Sequence, residues 1–565
     1  MMHNFLDRLG DWNPQLLREI KGRLQLRNII LTIIISLGSQ FLLFLAFQSQ
    51  LPISQDRFLD NSNKYCTGKI VYRLSKCLLD EFDNKIINWQ LWWQDVFTWL
   101  SIIACFSLLV IGTYLLISDL ANEERRGTLN FISLSPQESQ NILVGKMLGV
   151  PILPYLAIAL AIPLHLLSGL AANISLAEIL SFDAIVLAAC CFYYSAALLF
   201  GLVGSWLGGF QAWLGSGVVL GFLLLTKQSL VYISTNYPLN FLRFLNPFYF
   251  IPELVAIPNF SSIALWNDFY WFGIPMAASH IVITGLALVN LFCLTYFTWQ
   301  ALQRCFRNSN ATMLSKQQSY LLTFYFTISS LGCINWQSIL WGKVPYSSTM
   351  KDNLACLLFL HFWLFLFLIA AITPHRPTLQ EWARYRHISS HKGLGNSYVI
   401  KDLIWGEKSP SLVAIALNAI IAITFLSSLI ILVNNNENQI SAVYALTLAG
   451  SLTMLYAALA QLMLFKKTRH RVIWAVGSLG AVIILPVVIM VMFWSNYPGN
   501  SNFIGLFSVA APLLALYTPN GDSLYSIGVL FVIPVQGIML ALLILQLWRQ
   551  LKKAGESATK ALFSR

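Results

Sequence analysis

The sequence predicts an all-α integral membrane protein of about 12 transmembrane helices, arranged as two parallel six-helix halves. Three observations predict it. Only 11% of the 565 residues are charged, less than half the share of an ordinary soluble domain. Apolar runs of 18 or more residues recur along the whole length, each long enough to cross a bilayer as a helix. And several landmarks of the first half return in the second at one constant shift of 261 residues.

The elements follow in order. Residues 1–27 hold an amphipathic helix: in DWNPQLLREIKGRLQLR (11–27), Leu16, Leu17, Ile20 and Leu24 share a face, with Arg18, Lys21 and Arg23 largely on others. Such a helix suits the inner membrane surface. No secretory leader is expected, because a polar start precedes an apolar run (28–48) too long for a signal core. Spans are expected near 28–48, 97–118, 147–170, 183–205, 208–226 and 275–301, which make the first half, 28–301. A connecting segment, 302–318, leads to spans near 319–341, 354–373, 411–433, 439–465, 472–494 and 525–548, the second half, 319–548, followed by a tail, 549–565. The stretch 503–517 is apolar but short and contains Pro512, so it is read as re-entrant or interfacial.

The net charge of +12 is a topology signal rather than a nucleic-acid footprint. Of the 36 Lys and Arg, 26 fall on segments that this topology places inside and 10 on those it places outside. That is the positive-inside asymmetry, and it puts both termini in the cytoplasm. A bacterial inner membrane is the simplest location, with no nucleic-acid partner expected.

The internal repeat rests on four matches. Gly145 falls on Gly406, Ala196-Ala197-Leu198 on Ala457-Ala458-Leu459, Trp213 on Trp474, and Pro258-Asn259 on Pro519-Asn520. Each pair occupies the same place in the topology, which argues for a duplication. Six spans return the chain to its starting side, so the halves run in parallel.

Soluble-enzyme chemistry is missing from the sequence. A phosphate-binding loop needs Ser or Thr after its Gly-Lys, but Gly68-Lys69, Gly145-Lys146 and Gly342-Lys343 are followed by Ile70, Met147 and Val344. His165, His280 and His361 are spread over separate spans without metal-ligand spacing, and a structural role suits them better. Glu253 is read as an interfacial carboxylate. Seven of the nine cysteines lie in or beside spans. Cys66 and Cys77 share the long outside loop 49–96; an oxidising compartment would let them pair, but spacing alone does not establish it.

One segment carries more information than a loop between spans requires. EERRGTLNFISLSPQESQNILVGK (123–146) places four charges before Gly127, the residue type that ends helices, then Thr128 and a short apolar helix, then a new start at Ser135-Pro136-Gln137-Glu138. The order helix end, short exposed helix, helix start makes a positioned protrusion. The pattern Glu-Glu-Arg-Arg-Gly-Thr-Leu, then Leu-Ser-Pro, then Ile-Leu-x-Gly-Lys leading into a span resembles the permeases of ATP-binding cassette (ABC) transporters of the type-2 exporter class. The N-terminal amphipathic helix is similar to that family's connecting helix, and FLRFLNPFYFIPELVAIPN (241–259) to its outside re-entrant segment.

The resemblance implies a coupling helix near 128–134 that seats in a cleft of a cytoplasmic ABC ATPase subunit. Glu123, Glu124, Arg125, Arg126, Gly127, Thr128, Leu129 and Phe131 are the residues it assigns to coupling. It implies export with no cofactor in this chain, ATP and Mg being held by the partner, contacts with membrane lipid, and either action alone with two ATPases or pairing with a second permease chain. The equivalent position in the second half, HRPTLQEWARYRHISSHKGLGNSYVIKDLIWGE, lacks the pattern. Two other function classes stay open: an ion-coupled secondary transporter, which would need charged residues along an intramembrane pathway, and a non-transporting scaffold.

Overall fold

The computed structural model describes residues 8, 10–52, 62–68, 70–71, 74–80, 84–230, 236–252, 266, 269–276, 279–308, 310–341, 346–391, 396–432, 436–468, 470–494, 505, 507–517 and 523–563. Among them, eleven helices are long and apolar enough to cross a membrane. The protein is an all-α, multi-pass membrane protein, the architecture in which each segment satisfies its own backbone polar groups. Two compact units are present: Met1–Thr235, Leu242–Phe269 and Pro275–Arg307 form unit 1, and Asn236–Phe241, Tyr270–Ile274 and Asn308–Arg565 form unit 2.

Unit 1 opens with α1 (Pro14–Arg23), started by a proline in its first turn and by the Asn13 side chain, which accepts the Leu16 N–H at 3.0 Å. Helix α2 (Leu26–Gln48) follows and is tied to α7 (Ile152–Ala171) where the Ser36 hydroxyl donates to the Ala157 carbonyl at 2.8 Å. After α2, β1 (Ser62–Asn63), β3 (Leu74–Lys76) and β2 (Ile70–Val71) form an antiparallel sheet in that spatial order. The Cys66–Cys77 disulfide pins it, and Tyr65 packs beneath it with Phe47, Trp92 and Val96. Intact mass after alkylation checks the bond: Cys66 and Cys77 are expected to take up the reagent only after reduction.

The second span is longer than expected. Helix α3 (Trp89–Phe106) passes through a π-helical turn, Ser107–Ile111, into α4 (Gly112–Arg125), a continuous stretch of 37 residues rather than the 22 positions from 97 to 118. The Tyr194 hydroxyl donates to the Leu108 carbonyl within the π turn at 2.8 Å, the kind of outside partner such turns take up. Then come α5 (Thr128–Ser133) and α6 (Ser139–Gly149). The expected third span appears as α7 and starts at Ile152 rather than at 147: α6 stops at Gly149, and Pro151, which cannot donate a helix hydrogen bond, separates the two. Helix α8 (Leu176–Val203), opened by a Ser175–Glu178 capping box, packs against both α4 and α10 (His280–Arg307), with α9 (Gln211–Leu230) between them in sequence. In the described part of 241–259, Pro247–Phe250 is a 3₁₀ turn, and the buried Arg243 donates to the Leu230 carbonyl at 2.5 Å with its guanidinium 5.1 Å from the Tyr249 ring. Glu253 and Pro258-Asn259 lie outside the described residues, as do Pro519-Asn520 and Gly342-Lys343.

Unit 2 runs α11 (Lys316–Gly332), α12 (Trp336–Trp341), α13 (Tyr346–Ile372), α14 (Arg376–His391), α15 (Asn396–Trp405), α16 (Leu412–Ile431), α17 (Asn436–Phe465), α18 (Arg471–Trp494), α19 (Ala511–Tyr517) and α20 (Ser523–Phe563). The span expected at 319–341 is broken at Cys333, so α11 covers only 17 residues, about 26 Å at 1.5 Å per residue and short for a full crossing. Its polar face explains why it stays: Thr323 donates to Asn418 Oδ1 at 2.8 Å and Asn418 donates to Ser319 Oγ at 3.0 Å, joining α11 to α16. The short α19, which contains Pro512, covers the re-entrant stretch and is only 7 residues long. The expected tail 549–565 continues α20 as far as Phe563.

Two of the three expected span histidines have partners within the protein, while His280 is exposed at the start of α10. His165 meets the Ser101 hydroxyl at 3.0 Å and stacks on Phe97, with 4.5 Å between ring centroids. His361 is held by Leu357 and Thr327.

Lys316 is buried at the start of α11, donating to the Leu403 carbonyl at 2.7 Å, Ser409 Oγ at 2.6 Å and the Pro410 carbonyl at 3.2 Å. Burial pushes its ammonium down to about 8, with Asp402 partly opposing, from an ordinary 10.5. Between those values the unfolded chain holds a proton the folded one has released, so stability rises with pH through that window. Lys316→Met, with no proton to lose, is expected to flatten the rise, read as the unfolding midpoint against pH.

Candidate functional site

The site is built where α1, the end of α4 and α6 meet in unit 1. Two glycines on α6 set the distance. A Cβ on Gly145 would stand 2.7 Å from Asn13 Oδ1 and 2.9 Å from the Leu16 nitrogen, and one on Gly149 would stand 2.6 Å from the Glu19 Cβ. With neither present, α1 lies directly on α6, and Asn13 also donates to the Asn141 carbonyl at 2.6 Å.

This docking turns α1 over relative to the sequence expectation. Of the predicted apolar face only Leu16 is buried; Leu17, Ile20 and Leu24 are half-buried. The buried side also carries Asn13, Gln15 and Glu19. The half-covered leucines and isoleucine remain available to a membrane surface, while the polar side reads the inside of the protein.

Six charges meet under that side. Lys146, with 0% of its surface exposed, places Nζ 2.7 Å from Asp119 Oδ2, 2.7 Å from Glu123 Oε2 and 3.9 Å from Glu19 Oε1. Its approach to Glu123 is off the hydrogen-bonding direction, so that contact is an ion pair rather than an aligned bond. Arg18 reaches Glu123 Oε1 at 2.5 Å, and Arg23 reaches Asp119 Oδ1 at 2.5 Å and Glu19 Oε2 at 3.3 Å. Three carboxylates thus face three cations, and each is shared. Burial raises the Glu19 carboxyl above its usual range, Asp119 adds to this, and Lys146, Arg23 and Arg18 act against it. The oxygens of Glu19, Asp119 and Glu123 lie within 4.8 Å of one another, the grouping that can hold a metal; here the Lys146 ammonium stands among them as the cation.

The expected coupling residues divide between this base and the protrusion above it. Glu123 faces inward and belongs to the ion-pair cluster. Glu124, Arg125 and Arg126 are exposed, with Arg125 bonded back to Ala121 and Asn122. Gly127 has φ +70° and its N–H reaches the Glu124 carbonyl at 3.0 Å, the left-handed C′ residue that ends α4. Thr128, expected to cap the following helix, donates instead to the Glu123 carbonyl at 3.1 Å and so closes the preceding one. On α5, Ile132 is buried and Leu129 half-buried, whereas Phe131 and the following Leu134 are 81% and 84% exposed. The next helix begins at Ser139 rather than at Ser135-Pro136, with no side-chain cap from Glu138; Ser139 Oγ accepts from Arg307 Nε at 3.2 Å, tying the end of α10 to this loop.

The corresponding stretch of unit 2 is a different object. Helix α14 has 16 residues against the 6 of α5 and packs on α20, while Trp382 donates to Asp402. No protein-family model, no curated protein and no solved structure matches this chain.

Proposed function

We propose that the chain is the membrane-spanning permease of an ATP-binding cassette exporter of the type-2 class, driven by a separate ATPase subunit that holds ATP and Mg. The observation that carries this reading is α5: a one-turn-and-a-half helix with two large apolar side chains outside and a neutralised ion-pair cluster beneath it. A protrusion seated on a rigid base transmits a push; a solvated loop would not. Arg18, Arg23 and Lys146 bind α1, the end of α4 and α6 into one body, so a force on Phe131 and Leu134 would move those helices together.

In this reading the membrane face bearing α1 and α5 is cytoplasmic, both termini lie there, and the membrane is a bacterial inner membrane. The two units are the two halves of a duplication. Ala196-Ala197-Leu198 on α8 and Ala457-Ala458-Leu459 on α17 are in the long, central helix of their respective units, and Trp213 and Trp474 are outward-facing on the helix that follows, which supports it. Helix α14 packs on α20 but leaves Tyr385 exposed, and it is a longer helix than α5, so unit 2 would meet its ATPase differently or leave it to a second permease chain.

The test is isolation of the tagged chain from its native membranes in mild detergent, with the co-purifying proteins identified by mass spectrometry. An ATPase with a phosphate-binding loop is expected among them. Its absence would remove the motor and bring the ion-coupled carrier and scaffold readings forward.

A further inference from the structure

Unit 2 contains a chamber of about 260 Å³. Its wall is drawn from α13, α16, α17, Val487 of α18 and the start of α19, and it runs beside α17 from Leu446 to Tyr456, about 15 Å at the helical rise. The space exists because small residues stand where large ones would close it: Ala419 and Ala422 on α16, Ala449 and Gly450 on α17.

The chamber offers water little, its wall being apolar apart from His361, Thr453 and Tyr456. His361 Nδ1–H donates to the Leu357 carbonyl at 2.7 Å and Nε2 meets the Thr327 hydroxyl at 3.0 Å, both within the protein. The Thr453 hydroxyl donates to the Ala449 carbonyl at 2.8 Å. A buried water needs two to four polar partners, and apolar cavities of even about 150 Å³ stay dry and take up hydrocarbon instead. Leaving a space this size empty forfeits the dispersion contacts of its whole lining. In a membrane protein the filler at hand is the acyl chain of the bilayer. Helix α18 is the side from which one would enter: Val487 lines the chamber, while Ile484, Leu485, Val488 and Val491 are exposed on the outer surface of unit 2.

We infer that unit 2 binds a single hydrocarbon chain in this chamber, taken laterally from the membrane past α18. The ligand is defined by an unbranched apolar tail, carried either by a phospholipid or by a free fatty acid. The site lies within one unit and does not depend on the ATPase reading.

The test uses the full chain reconstituted in vesicles containing one of two photoactivatable probes, a free fatty acid or a phosphatidylglycerol, each with a diazirine on the tail. Labelled peptides are then mapped by mass spectrometry. Labelling at 358–365 and 446–456 is expected to exceed that at the bilayer-facing Ile420 at least about fivefold, and the probe that labels identifies the source. Ala422→Phe, which fills the chamber, is expected to remove most of the excess, and Ile420→Phe, one surface residue away, to leave it unchanged. Ala449→Val, a smaller intrusion, serves should Ala422→Phe not fold, and is expected to reduce the excess by about half or more. Labelling by neither probe above the level at Ile420, or an excess that both filling variants leave intact, overturns the assignment.

Discussion

Lys146→Met is expected to destabilise unit 1 by about 3–5 kcal/mol, the usual consequence of removing one partner of a buried ion pair. The reason is the arithmetic of the cluster. With the lysine gone, Glu19, Asp119 and Glu123 face one another over Arg18 and Arg23 alone, and Arg18 is about half exposed, where its charge is screened by water. Three acids then share two guanidinium groups, which leaves one negative charge of the cluster unbalanced. Thermal unfolding in mild detergent measures the loss. Lys146→Met combined with Glu123→Gln restores two acids to two bases and is expected to recover most of it, a non-additivity that an independent pair of sites would not show. The pH dependence has a definite sign as well. The Glu19 carboxyl is already raised by burial, so its protonated form is the one the fold favours, and stability tied to it is present at low pH and lost as pH rises. In Lys146→Met one of the influences holding that carboxyl down is gone, so the deficit should be smaller at about pH 5 than at about pH 8. A single variant as stable as the wild type, or a double variant no better than the single, would show that the lysine contributes nothing as a charge.

Most of the fold was legible in the sequence, and the errors have identifiable causes. Eleven of the expected spans appear as long apolar helices because run length and charge depletion are local properties. The twelfth did not: 319–341 was read by hydropathy, yet Ser319, Thr323, Ser329 and Ser330 of α11 are buried and engage unit 2 rather than lipid. The third span starts at Ile152 rather than at 147, because α6 runs to Gly149 and Pro151 separates it from α7. The helix expected to start at Ser135-Pro136 starts at Ser139, since a capping pattern states a propensity and the Arg307–Ser139 bond decides the place.

The site was legible only in its outer half. Gly127, the exposed Glu124 and Arg126, and the apolar residues of α5 follow from one continuous stretch. The cluster under them does not, because it joins residues 105 and 96 positions apart: Arg18 with Glu123 and Arg23 with Asp119. A weaker signal was available. Glu19 and Arg23 are i,i+4 on α1, Asp119 and Glu123 are i,i+4 on α4, and Lys146 is a lone charge in an otherwise apolar turn. Glu123 and Glu124 are both expected among the charges that hold the coupling helix, but the helix turns successive residues about 100° apart, and that rotation sends Glu123 into the ion-pair cluster and Glu124 out to the surface.

The same rotation makes the second prediction sharp. Under the proposed permease reading, replacing both Phe131 and Leu134 by Asp is expected to weaken ATPase association at least about a hundredfold, since a pair of large apolar anchors commonly contributes about 2 kcal/mol each to an interface and every 1.4 kcal/mol is a factor of ten. Folding should be untouched, because these side chains are 81% and 84% exposed already. The variant should therefore keep the wild-type unfolding midpoint while the ATPase vanishes from the purified complex. Ile132→Asp is the informative contrast: that side chain is buried against the base, so it should lower the midpoint and lose the partner together. Glu124→Ala/Arg126→Ala removes only solvated charges and should weaken association less than the apolar pair does. Phe131 and Leu134 have a competing use, dipping into the membrane surface, and the experiment separates the two. An anchor of that kind would leave the ATPase bound in the Asp variant, whereas a coupling helix cannot lose both of its outward apolar side chains and still hold its motor.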